Sequence, residues 1–70
     1  MAVSYNKLWK LLVDKKMSKA YLRRAADLAP NTMTKLRRDE AVSMMVLEKI
    51  CDAINADFGD IVQYIPKNRE

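Results

Sequence analysis

Apolar residues recur along this chain at the three- and four-residue spacing of amphipathic helices, in five blocks separated by polar starts. The first block puts Leu8, Leu11 and Leu12 on one face, with Tyr5 near it and Trp9 at its flank. The second turns Leu22, Ala25 and Ala26 inward, and the third has only Met33 and Leu36. The fourth offers Leu47, Ile50, Cys51 and Ile54, with Met44 able to reach the core, and the fifth offers Phe58, Ile61 and Val62. These blocks predict helices over 5–16, 19–27, 30–38, 44–55 and 58–65, and no strand. Each block also carries a start signal in which an apolar residue before the cap pairs with another five positions on, the spacing of a hydrophobic staple. The pairs are Val3 and Leu8 around Ser4, Met17 and Leu22 around Ser18, and Leu28 and Met33 around Ala29. Val42 and Leu47 flank Ser43, and Ala56 and Ile61 flank Asp57. Ser and Asp suit the cap because their side-chain oxygens accept the free N–H groups of a first turn. Pro30 fits the first position of the third helix, where its missing donor is no loss. Pro66 marks the end of the fifth.

The second and third helices are short and are joined by about three residues, the arrangement of a helix-turn-helix. The third buries so narrow a stripe that most of its surface is on view. At about 100° per residue, Asn31, Lys35 and Arg38 lie opposite Met33 and Leu36, with Thr34 beside them. Thr32 is on the flank and Arg37 leans back toward the body. Such a face suits the edges of bases. Asn bonds adenine bidentately, Lys and Arg donate to guanine, and the methyl of Thr meets thymine. Free N–H groups at the starts of the second and third helices, with Lys19, suit phosphate oxygens.

Charge sharpens this reading. From position 15 to position 38 stand eight basic residues against the single acid Asp27, a net +7, while the remaining five basic and eight acidic residues leave −3. A segregation of this kind points to a polyanion and to the side that faces it. A chain of 70 residues, half of them apolar, makes one small folded domain over 1–66, with a frayed tail over 67–70.

Four stretches carry a resemblance: "SYNKLWKLL", "LAPNTMTKLRR", "VSMMVLEKICDAIN" and "DFGDIVQYIP". In them the chain resembles the lambda-repressor-like, XRE-type helix-turn-helix regulators. Within these it is similar to the small single-domain group that includes the regulator of vancomycin-resistance clusters. The resemblance implies an all-α, compact five-helix domain, a role in transcriptional control, double-stranded DNA as partner and a cytoplasmic location in a bacterial or mobile-element setting. It also implies that Ser18 and Lys19 contact backbone and that Asn31, Thr32 and Lys35 contact bases or phosphates. Arg38 matches a phosphate contact, and binding as a homodimer to paired half-sites is the common mode. Three positions depart from the usual pattern. Arg23 follows Leu22 where Ala is usual, Asp27 holds the turn position of Gly, and Ala29 replaces a Ser or Thr cap.

Other chemistry has little to work with. One Cys and no His leave neither an internal disulfide nor a plausible zinc ligand set. There is no general-base histidine and no Gly-rich phosphate loop, so no enzyme and no cofactor is expected. No apolar run approaches the length of a membrane span, no signal peptide is recognisable, and no room remains for a small-molecule domain. Cys51, on an apolar stripe, reads as an inert thiol. Trp9, Met45, Val46, Tyr64 and Ile65 lie off the stripes and form a candidate dimer interface. Met45, Val46 and Trp9, with the three departures at Arg23, Asp27 and Ala29, motivate an alternative function, a protein-interaction module of the adaptor or antitoxin type that keeps the fold without reading DNA.

Overall fold

The computed structural model describes residues 2–66; the tail expected over 67–70 lies outside them. The elements in order are β1 (Ala2–Ser4), α1 (Asn6–Asp14), α2 (Lys19–Ala25), α3 (Pro30–Arg37), α4 (Met44–Ile54), α5 (Phe58–Ile61) and β2 (Gln63–Ile65). All five predicted helices form, and the domain is all-α apart from one small ribbon. That ribbon corrects the expectation of no strand. α5 stops at Ile61, Val62 is extended at φ −134° and ψ 147°, and β2 pairs antiparallel with β1, Tyr64 opposite Val3. The β-branched Val62 and Ile65 and the aromatic Tyr64 favour a pleated conformation once a partner strand is at hand. Pro66 therefore follows a strand, not a helix.

The start signals hold with two adjustments. Ser18 and Ser43 cap α2 and α4, their hydroxyls accepting the N–H groups of Tyr21 and Val46. Asp57 and Asp60 close a reciprocal capping box on α5. Ala29 caps α3 by conformation alone, with no side-chain bond. In α1 the cap position falls on Tyr5, and Ser4 Oγ accepts the N–H of Asn6 instead.

Four helices end through a non-glycine residue in the left-handed region: Lys16, Asp27, Asp39 and Asn55, with φ between 54° and 60°. The residue after each returns its N–H to a carbonyl in the last turn, as Leu28 does to Arg23 and Glu40 to Lys35. These bonds satisfy carbonyls that a helix end leaves open. Asn and Asp tolerate this conformation better than Lys does.

Tyr5, Leu8, Leu12, Leu22, Ala26, Leu28, Met33, Leu36, Leu47, Ile50, Ile54 and Ile61 form the core. α1 packs on α5, and α4 on α2 and α5. Two inward assignments fail: Ala25 is exposed, and Met44 is 58% exposed at the first position of α4. Each sits at an end of its helix, and Ala25 borders an open groove against Lys49, Asp52 and Ala53 of α4. Tyr5 ties the start of the chain to the end of α3. Its backbone N–H donates to Asp39 Oδ1 at 3.0 Å and its hydroxyl to the Glu40 carbonyl at 2.8 Å. Burial pushes the Tyr5 phenol above its ordinary 10, the Val42 backbone opposes that rise, and the Asp39 carboxylate adds to it.

Two outcomes follow from these features. Lys16→Gly relieves a left-handed lysine and should stabilise the fold by about 1 kcal/mol, whereas Asn55→Gly should change it by only a few tenths. Equal shifts of the two urea midpoints would contradict the ordering. For Tyr5, a raised native pKa means that the fold binds the phenolic proton more tightly than the unfolded chain does. Stability should therefore hold through neutral pH and fall as pH rises past 10. Tyr5→Phe should cost about 1 kcal/mol at pH 7 and flatten that alkaline decline, as read from urea midpoints between pH 7 and 11.

Candidate nucleic-acid interface

α3 is sided as its two apolar residues require. Met33 and Leu36 are its buried residues, and Asn31, Lys35, Arg37 and Arg38 are exposed while Thr32 and Thr34 are half-buried. A helix of eight residues with so narrow a buried stripe leaves one continuous polar side. Asn31 and Lys35, four positions apart, project from neighbouring turns of that side. Arg38 lies just beyond the last helical residue and is 69% exposed. Its Nε stands 3.5 Å from Glu40 Oε2, an exposed pair of the kind that contributes little to stability and parts readily.

Two expected contacts are already partly engaged within the protein. The Ser18 hydroxyl oxygen accepts the Tyr21 N–H at 2.9 Å, which fixes the first turn of α2. The Thr34 hydroxyl donates to the Pro30 carbonyl at 3.2 Å and accepts from Arg37 Nη2 at 3.4 Å. At the tip of α3 fewer donors are free than a bare helix start would offer. Pro30 has none, and the N–H groups of Thr32 and Met33 both return to the Ala29 carbonyl.

α2 contributes Lys19 at its first position, and Lys19 Nζ sits 4.5 Å from the centroid of the Trp9 ring. A cation over the face of an indole is held there by the ring quadrupole. Trp9 is half-buried against the core from α1, so this contact links α1 to the exposed edge of α2. Between α2 and α3 runs a shallow groove of about 370 Å³, lined by Lys19, Ala20, Arg23, Pro30, Met33, Thr34 and Arg37. Arg23 and Arg37 are not among the DNA contacts expected from the sequence. Projection of α3 as an isolated rod turned Arg37 toward the body. In the fold it remains exposed, because that flank faces the open groove. The cationic window was the signal that contained both.

The remaining candidates lie elsewhere. Met45 and Tyr64 are 67% and 64% exposed, at the start of α4 and on β2, while Val46 and Ile65 are half-buried. Cys51 is half-buried, and burial, followed by Asp57, Asp60, Asp52 and Glu48, raises its pKa and keeps the thiol protonated at neutral pH. Among the described residues no group of His, Cys, Asp or Glu is placed to hold a metal ion, and no helix is long and apolar enough to cross a membrane.

A profile of the Cro/C1-type helix-turn-helix DNA-binding domain matches residues 7–67. Among solved structures, the crystal structure of transcriptional regulator VanUg, Form II, is similar at a TM-score of 0.91 and 50% sequence identity. That match covers 94% of this chain and 88% of the other. A comparison with curated proteins returns no match. The profile runs from the first turn of α1 through α5 and includes α2, α3 and the turn between them, and on that ground the chain belongs to the Cro/C1-type helix-turn-helix family, whose members are DNA-binding proteins rather than enzymes.

Proposed function

We propose that the chain is a sequence-specific transcriptional regulator, acting in the cytoplasm as a homodimer, that inserts α3 into the major groove of its operator. The observation that carries this reading is the division of α3. Met33 and Leu36 turn inward and leave Asn31, Lys35 and Arg38 outward on a helix flanked by cations. Similarity to a solved transcriptional regulator over most of both chains supports the regulatory role. In this reading Asn31 and Lys35 read base edges, with Thr32 and Thr34 at the sides of the same face. Ser18, Lys19 and Arg38 hold phosphates and so fix the register of the protein on the duplex. A homodimer sets two such helices about 34 Å apart along the DNA axis. The exposed Met45 and Tyr64, with Val46, Ile65 and Trp9 less exposed, are the candidate apolar contributors to the pairing.

Selection of bound sequences from a random duplex pool tests the whole proposal. The selected sites should contain an inverted repeat, and recovery of no shared sequence overturns specific readout. On a selected site, Asn31→Ala should lose about 1–3 kcal/mol of discrimination at one base pair of each half-site. Lys35→Gln should weaken binding if it meets a base and also lower the salt slope if it meets a phosphate. Wild-type affinity, base preference and salt slope in both variants would remove α3 from the interface. For the homodimer, sedimentation of the DNA complex should give two chains per operator, and Met45→Glu should shift it toward one. Wild-type stoichiometry in that variant would clear α4 of the role.

A further inference from the structure

We propose that the groove between α2 and α3 is a seat for the phosphodiester backbone of one DNA strand, with Arg23 and Arg37 as its principal contacts and Lys19 at its mouth. The inference rests on the DNA-binding reading of α3 and adds to it a site on the flank of that helix.

The groove is built from two kinds of surface. Ala20, Pro30 and Met33 give it apolar lining, and Lys19, Arg23 and Arg37, all exposed, line it with cations beside Thr34. The long stems of such side chains lie on apolar surface while their charged heads stay at the water. Among the described residues the one ion pair joins Arg38 to Glu40, so none of these three cations is neutralised by a carboxylate. Each is nevertheless held in place by a neutral contact. Lys19 rests over the Trp9 ring at 4.5 Å. Arg37 Nη2 donates to the Thr34 hydroxyl at 3.4 Å, and Arg23 Nη1 approaches the Leu28 carbonyl at 3.5 Å. These contacts orient the heads without cancelling their charge. A guanidinium so placed has further donors free, in a fork that matches the oxygens of a phosphate.

Arg23 gives the groove its character. It stands on α2, is exposed, and reaches toward the Leu28 carbonyl in the turn to α3. It lines the same opening as Arg37 from the last turn of α3. The two come from different helices and line one opening, so a strand passing along the edge of α3 meets both. Contacts of this kind carry no base information, so they act on affinity and register and leave sequence preference to the outer face of α3.

The test compares four variants of the full chain on a selected operator across a series of salt concentrations. Arg23→Gln and Arg37→Gln should each weaken binding by about tenfold at low salt, and each should lower the slope of log affinity against log salt by about 0.9. Preference for the operator over a scrambled duplex should stay at the wild-type ratio. Arg24→Gln changes the same charge on the same helix but lies outside the groove, and it should leave the slope nearly unchanged. Arg23→Lys keeps the charge and should keep the slope. Thermal melts confirm that each variant is folded, and a variant that does not fold is replaced by its lysine counterpart, whose wild-type slope with reduced affinity supports the seat. Equal slopes for Arg23→Gln and Arg24→Gln would show that net charge alone is at work and would overturn the proposal. Failure of the underlying reading has a different signature: Asn31→Ala then leaves base preference untouched, whatever the arginine variants do.

Discussion

The burial of Met33 and Leu36 is the constraint on which the rest of the molecule turns. α3 has no other apolar residue with which to join the core, so its rotation about its own axis is fixed by these two side chains. Once they point inward, the polar residues have only one direction left. α2 supplies Leu22 and Ala26 to the same core, and Leu28 in the connection is buried as well. The pair of helices is thus set by apolar contacts on its inner side, while its outer side is free to carry unpaired positive charge. Charge repulsion along that side weakens the fold a little; the buried stripe offsets it. This is how a small domain can keep a cationic surface ready for a polyanion.

Much of this was legible in the amino-acid order. Five blocks of helical periodicity gave five helices, and both buried residues of α3 were identified correctly. Capping chemistry placed the starts of α2, α4 and α5, because Ser18, Ser43 and Asp57 each bind the first turn through a side chain. The ends were less legible. Helix termination here runs through left-handed Lys16, Asp27, Asp39 and Asn55, where none of the four is glycine and the usual stop signal is missing. The ribbon was invisible for another reason. A three-residue strand has almost no local signature, and the one at 63–65 exists because the strand at 2–4, paired with it from Ala2↔Ile65 to Ser4↔Gln63, lies beside it.

The site divides in the same way. A helical projection assigns residues to the inside or outside of one rod and is good for Asn31, Lys35 and Arg38. It cannot show what the neighbouring rod leaves uncovered. Arg37 was misjudged on that account, since its flank opens onto a groove rather than onto packed side chains. Thr34 illustrates a finer limit, for its hydroxyl is engaged by the Pro30 carbonyl and by Arg37 before any ligand arrives. Trp9 gains meaning only from Lys19, which lies ten positions away on another helix.

The pairing of β1 with β2 bears on the order in which the molecule assembles. Helices form from neighbours in the chain, whereas this ribbon requires that nearly the whole length be looped back on itself, an entropic cost that more local contacts do not bear. Pairing β1 with β2 therefore carries a larger loop-closure cost than any contact within a helix. β1 runs directly into Tyr5, whose N–H and hydroxyl grip Asp39 and Glu40 just past α3. The seam between the two strands thus stands one residue from the hydrogen bonds that hold the segment just past α3.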